Sequence, residues 1–231
     1  MEQKKYRVSI LMPCLNEEKT VGNCVEKARE FLCRNAMTGE VLVVDNAGTD
    51  AAAKLAKEAG ARVVSAPVRG YGAALSVGIQ AAQYEYILML DADASYDILE
   101  GKSFLDRLDE DYDFVIGNRF RGGIERGAMP WLHRYIGNPV LSWLGKHWSG
   151  TDIGDFHCGM RAFRKEAVEK LELKTTQMEF ASEMIMKAAK EGLKLTEVPC
   201  NLYRDKRCGR SHLRTWRDGF RHLICMWKNR R

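Results

Sequence analysis

The 231-residue chain lacks several features that would settle its class at once. No apolar run approaches the roughly 18 residues needed to cross a bilayer. The opening, MEQKKYRVSI, passes from charged residues straight into strand-like sequence, so no secretory leader is expected. The 7 cysteines are odd in number and include no C-x-x-C pair. Reduced thiols in a cytosolic setting fit this better than a disulfide framework, and Cys14, Cys24 and Cys33 read as small packing residues. His157 and His212 stand singly, without zinc-site spacing. There is no internal repeat and no low-complexity linker. The expected organisation is a domain over residues 1–204 followed by a basic segment and helix over 205–231.

Net positive charge is confined to one end. Residues 201–231 hold 10 Lys/Arg and 2 Asp/Glu, a net +8, while the preceding 200 residues are net −3. The tail is therefore expected to meet phosphates of a lipid, a nucleotide or a nucleic acid. No RNA- or DNA-binding motif accompanies it, and acids elsewhere would repel a polyanion, so nucleic acid is not an expected partner. The stretch PWLHRYIGNPVLSWLGKHW (130–148) mixes aromatics with cations, as does the tail. Both patterns suit a membrane interface. A buried helix pair is the competing reading of 130–148.

The first half alternates in character. Residues 7–13, 40–45, 62–66, 86–90 and 113–118 read as strands; 17–34, 50–60, 71–83 and 97–109 read as helices. Continuous apolar strands between amphipathic helices predict a mainly parallel α/β sheet covered on both faces. In the second half, 130–148 reads as helix broken near Gly137-Asn138-Pro139, 157–164 and 194–204 as strands, and 179–191 and 213–229 as helices. Ligands of parallel sheets sit at the carboxyl ends of strands. Pro13, Asp45 and Asp91 all fall at such ends.

The acids there need a reason, because an unpaired buried carboxylate is costly. In ILMLDADASYD, Asp91 and Asp93 end an apolar strand. They can bridge a divalent cation to a diphosphate, since Mg²⁺ and Mn²⁺ take one or two carboxylates plus phosphate oxygens. Helix capping by Asp93 or Ser95 is the simpler alternative. Glu17 can accept ribose hydroxyls or merely favour a helix N-terminus. Asp45 can accept a base N–H, and Asp50 can cap the next helix.

The ordered set PCLNEE, VVDNAGTD, RGYGAAL and LDADASYD resembles the nucleotide-sugar half of the family-2 glycosyltransferases of GT-A fold. GNRFRGG, DFHCGMRAF, MEFASEM and RCGRSHLRTW narrow the resemblance to the dolichyl-phosphate mannose and dolichyl-phosphate glucose synthase branch. Two motifs depart from that pattern: the usual N-G-S-T-D reads Asn46-Ala47-Gly48-Thr49-Asp50, and a position often Gln is Ser95. The resemblance implies a GT-A fold, plus a C-terminal basic aromatic helix, and an inverting hexosyltransferase at the cytoplasmic face of a membrane. Its donor would be a UDP- or GDP-hexose, its acceptor a polyprenyl phosphate and its cofactor Mg²⁺ or Mn²⁺. It further implies that Pro13, Leu15, Glu17 and Asp45 line the nucleoside pocket and that Asp91 and Asp93 hold metal and diphosphate, with Asp93 counted as catalytic. Arg119 and Arg134 would meet the acceptor phosphate. Catalytic Glu183 and Asp155 would lie near the sugar, and Arg210, His212 and Arg214 would close over the donor phosphates.

Each of these residues also has a plainer reading. Arg119 and Arg134 could be surface ion-pair partners, Asp155 could orient an arginine such as Arg161, and Glu183 could be solvated on its helix. Two other functions stay open. One is the same fold acting on a hydroxyl acceptor, which needs a carboxylate base within about 3 Å. The other is a non-catalytic nucleotide-sugar or anionic-lipid binding module.

Overall fold

The computed structural model describes residues 6–206 and 215–231. Seven strands form one sheet: β1 (Arg7–Cys14), β2 (Thr38–Asp45), β3 (Arg62–Ser65), β4 (Tyr86–Met89), β5 (Phe114–Ile124), β6 (Arg161–Arg164) and β7 (Leu195–Leu202). They lie in the order β3-β2-β1-β4-β6-β5-β7. The β1–β2, β1–β4, β2–β3 and β5–β7 pairs are parallel, and β6 is antiparallel to both neighbours. The sheet is thus mainly parallel, as the apolar strands imply. Every residue of β1 from Val8 onward is buried, as is the whole of β4.

Both faces are covered. Leu88 of β4 packs with Phe31 of α1 (Val21–Arg34) against α4 (Gly101–Asp109). From the opposite face, Leu11 and Val44 pack against α3 (Tyr71–Ala81). The remaining helices are α2 (Ala52–Glu58), α5 (Asn138–Ser149), α6 (Lys165–Glu169), α7 (Phe180–Lys190) and α8 (Thr215–Lys228). Packing continues outward from α7 to α5 and α8, which touch each other.

Several details depart from the expected elements; the strand expected over 157–164 forms only at Arg161–Arg164, and the helix expected from 97 begins at Gly101. Helix α1 starts at Val21 rather than Glu17, because Asn16 adopts a left-handed backbone and residues 17–20 form a turn closed by Thr20 N–H on the Glu17 carbonyl. Strand β5 runs on to Ile124, past a register shift between Asn118 and Gly123 that carries it away from a flat ladder. The break in 130–148 is a π-helical turn (His133–Gly137) leading directly into α5, with Pro139 in the first turn, where its missing N–H costs nothing.

Candidate active site at the carboxyl edge of the sheet

Register gathers the strand-end residues. Pro13 is opposite Val44 and Cys14 opposite Asp45, and Leu90 N–H reaches the Leu11 carbonyl just before Asp91. The loops beyond are unusually constrained. Asn16, Ala47 and Ala94, one in each loop, adopt left-handed conformations that L-residues rarely take. Cross-bonds hold these loops together: Asn16 Oδ1 accepts from Thr49 N (2.8 Å), and Asp50 Oδ2 accepts from Glu18 N (2.9 Å). Asn46 Oδ1 accepts from Gly70 N (2.7 Å), joining the loop to the start of α3. Asp50 also accepts from Ala52 N at the start of α2, as capping predicts.

The nucleoside candidates occupy this rim. Leu15 is half-buried and Glu17 is 6% exposed. Asp45 is half-buried, and its Oδ1 accepts from Gly48 N at 3.0 Å. Burial first, then the charges of Glu17 and Asp50, push the Cys14 thiol up to about 12. Cys14 and Cys24 are buried as packing residues, whereas Cys33 is exposed on α1.

Asp93 is 4% exposed, and its Oδ1 accepts from Ser95 N (2.9 Å). The segment after β7 fastens this turn, with Lys206 N on the Asp93 carbonyl and Tyr203 N on the Ser95 carbonyl. Asp91 is partly exposed, and after burial its charge helps hold the Tyr71 phenol well above its usual pKa. Among the described residues, no group of three or more His, Cys, Asp or Glu forms a complete metal cage. Two hard carboxylates on one turn are the partial set that Mg²⁺ or Mn²⁺ uses when phosphate oxygens complete the shell. A closed site for zinc would need more protein ligands.

Arg119 is not a surface cation. It is 7% exposed and paired to fully buried Asp155 through Nε–Oδ2 (2.7 Å) and Nη2–Oδ1 (2.8 Å). Burial alone works against its charge, but Asp155 outweighs that and raises the guanidinium well above its usual pKa. The expected alternative partner, Arg161, is instead bound by the carbonyls of Cys158, Ala181 and Phe156. Glu197 of β7 fixes the turn beneath, accepting from Gly154 N, Asp155 N and Asn118 Nδ2. Asp91 and Tyr96 meet at Gly159, where a Cβ would stand 2.6 Å from Asp91 Oδ2 and 3.0 Å from the Tyr96 ring. Arg134 is half-buried, with Nη1 3.4 Å from the Ile124 carbonyl at the end of β5. Its neighbour His133 is held below its usual pKa by burial and then by Arg119.

Glu183 is buried and engaged. Its oxygens accept from Lys174 N, Thr175 N and Thr175 Oγ1, and Lys187 lies 2.8 Å away. Burial opposes ionisation, but these donors outweigh it and lower its pKa. One turn earlier, Glu179 keeps a buried Oε2 without a hydrogen-bond partner among the described residues. Sequence reading passed over Glu179, Tyr71 and Glu197. MEFASEM offers two glutamates equally, and only the fold separates them. Arg210, His212 and Arg214 lie outside the described residues.

A mainly parallel sheet with an acidic turn and a paired arginine at its carboxyl edge defines an α/β transferase of GT-A type. The chain belongs to glycosyltransferase family 2, whose model, described as "Glycosyl transferase family 2", matches residues 9–172. It is 37% identical over 223 residues to the low-salt glycan biosynthesis hexosyltransferase Agl6 of Haloferax volcanii, covering 96% of this chain and 53% of that protein. The chain thus spans about half the length of that relative. It is 30% identical to a dolichyl-phosphate hexose transferase of the same organism, covering 83% of this chain and 81% of that one. In structure it resembles glucosyl-3-phosphoglycerate synthase from Mycobacterium tuberculosis, crystallised with Mn²⁺, UDP and glucosyl-3-phosphoglycerate. There the TM-score is 0.74 at 20% identity, over 97% of this chain and 80% of the other, a likeness of fold.

Proposed function

We propose that this protein transfers a hexose, with inversion, from a UDP- or GDP-sugar to a polyprenyl phosphate at the cytoplasmic face of a membrane. The observation that carries the reading is the buried, bidentate Arg119–Asp155 pair on the same sheet edge as Asp91 and Asp93. Negative charge grows on the departing diphosphate during transfer. A divalent cation held by Asp91 and Asp93 would supply Lewis-acid stabilisation there. Pro13, Leu15, Glu17 and Asp45 would bind the nucleoside, and Arg210, His212 and Arg214 the donor phosphates.

A phosphate monoester acceptor has a second pKa of about 6 and is largely ionised at neutral pH. It needs orientation and charge neutralisation more than it needs a base. Arg119, preset by Asp155, suits that task, with Arg134 beside it. A hydroxyl acceptor would need a base. The bonded oxygens of Glu183 speak against it in that role, and Glu179 is the better-placed carboxylate on α7 for that alternative.

Membrane contact belongs to the same proposal. Helix α8 presents Trp216, Phe220, Ile224 and Trp227 to solvent, Trp216 being 83% exposed. The neighbouring turn and α5 expose Trp131, Tyr135, Val140 and Trp143. Arg217, Arg221 and Lys228 share α8 with its rings, the combination that anionic interfaces attract. No described helix is long and apolar enough to cross a membrane.

The test is a donor screen. UDP-glucose, UDP-galactose, UDP-N-acetylglucosamine and GDP-mannose would be incubated with Mn²⁺ or Mg²⁺, with a short polyprenyl phosphate supplied in anionic vesicles or withheld, and released UDP or GDP measured. Metal-dependent release from one donor that rises with the lipid phosphate is the expected result. Release indifferent to lipid would move the acceptor to a hydroxyl compound, and nucleotide-sugar binding without release would indicate a binding module.

A further inference from the structure

Arg119 stands where β5 leaves the flat ladder. Asn118 is opposite Pro199 of β7, which has no N–H to offer, and the register resumes only at Gly123. Asp155 takes three bonds from Arg119: the backbone N–H (3.1 Å), Nε (2.7 Å) and Nη2 (2.8 Å). Among the described residues, Nη1 keeps no hydrogen bond, which leaves it for an anion.

Glu197, whose side chain is 6% exposed, grips both sides of this pair. Its Oε1 accepts from Gly154 N (2.7 Å) and Asp155 N (2.9 Å), fixing the turn that carries the acid. Its Oε2 accepts from Asn118 Nδ2 (2.9 Å). The other end of that amide, Oδ1, accepts from Phe120 N and Arg121 N at 3.0 Å each, closing the backbone around Arg119. Arg121 Nη1 lies 3.9 Å from Glu197 Oε2 and is mostly exposed, so it adds only a screened charge. One carboxylate therefore clamps the segment bearing the arginine to the segment bearing its acid.

The position demands a carboxylate. Every group hydrogen-bonded to Glu197 is an N–H donor, so both oxygens must accept. A glutamine would turn its NH₂ toward one set of those donors. Flipping Asn118 would not repair this, because its own NH₂ would then face Phe120 N and Arg121 N.

We propose that Glu197 and Asn118 are positioning residues for the acceptor phosphate, holding Arg119 against Asp155 so that the guanidinium is aimed before the phosphate arrives. This rests on reading Arg119 as the arginine that meets that phosphate. A planar guanidinium recognises phosphate through directed N–H bonds, and a misplacement of about 1 Å can cost about 100-fold in rate. None of the bonds of Glu197 reaches the loops that carry Asp45, Asp91 and Asp93, so the effect belongs to the acceptor and not to the donor.

The experiment is steady-state kinetics of the full chain, using whichever of the four nucleotide sugars releases its nucleotide. Geranyl phosphate, a short polyprenyl phosphate, is varied in one series and the nucleotide sugar in the other. Glu197→Gln and Asn118→Ala should each raise the acceptor KM by about tenfold, the worth of a hydrogen bond to a charged group, while the donor KM stays within about twofold of the parent. Asn118→Ala leaves the bonds of Glu197 to the Asp155 turn in place, so it decides the matter where Glu197→Gln does not fold. Arg119→Lys tests the underlying reading separately. If Arg119→Lys raises the acceptor KM but the folded Glu197 and Asn118 variants leave it within about twofold of the parent, the positioning role is wrong and the arginine stands. Equal rises in donor and acceptor KM would reduce both residues to a structural role and overturn the proposal. If Arg119→Lys leaves the acceptor KM unchanged, both readings fall.

Discussion

At the residue scale, the structure turns on which side chain each charge serves. Asp155 and Arg119 illustrate this. From sequence, Asp155 could face a sugar or orient Arg161, and Arg119 could sit on the surface. The fold pairs them with each other, buried. Removing one partner of such a pair leaves the other charge uncompensated, which typically costs about 3–5 kcal/mol. Asp155→Asn should therefore lower the unfolding free energy measured in urea by an amount of that order, and lipid-phosphate-stimulated turnover should fall further than the stability loss explains. Arg134, more loosely held, gives no such stability signal. The acids at the strand ends were legible, because a carboxylate that ends an apolar strand is chemically out of place. Tyr71 was not legible, since a tyrosine opening a helix breaks no rule of composition.

At the element scale, α3 is the part that joins sheet and site. Gly70, just before its first residue, donates its N–H to Asn46 in the strand-end loop, and its middle lies almost on the sheet. A Cβ at Gly78 would stand 2.3 Å from Leu11 Cδ1 and 2.9 Å from Val44 Cγ2, two side chains of the central strands. Overpacking of this kind typically costs about 1–3 kcal/mol. Gly78→Ala is expected to destabilise by that order in equilibrium unfolding, although alanine is the better helix former by about 1 kcal/mol. The close approach outweighs the propensity. The period of apolar residues makes the existence of α3 readable. Its distance from β1 is not, because that distance depends on which side chains meet across the layer. The same limit explains β6. The stretch 157–164 suggests a strand, of which Arg161–Arg164 forms, but not its antiparallel insertion between β4 and β5.

At the scale of the whole molecule, α8 is tied to the body through a pair of neutral histidines. His222 Nδ1 lies 2.8 Å from Ser182 Oγ on α7, and the His222 ring meets His157 edge-on at 4.6 Å. Burial lowers the pKa of His222 to about 4; Asp218 opposes the shift and Arg161 adds to it. Burial, then His222 and Arg119, holds His157 well below 6.5. Both groups bind fewer protons folded than unfolded, so their stabilising effect is full above about pH 6.5 and lost as pH falls toward 4. Between pH 7 and pH 5, His222 alone should cost about 2 kcal/mol of stability. Melting temperatures measured at pH 7, 6 and 5 should fall, and His222→Gln should flatten the slope even if it lowers the starting value. An unchanged slope would show that the pair is solvated.

The sequence by itself determined the alternation of strands and helices, the parallel character of most of the sheet and the set of acids at its strand ends. These follow from local periodicity and from parallel crossovers, which bring successive carboxyl ends to one edge. Only the tertiary structure decided that Asp155 serves Arg119, that Glu183 serves segment 174–176 and that Glu197 holds the turn at Asp155. Periodicity carries no information about which partner a buried charge will find. Arg119 and Asp155 lie 36 residues apart, and what joins them is the packing of β5 against the turn that Glu197 holds.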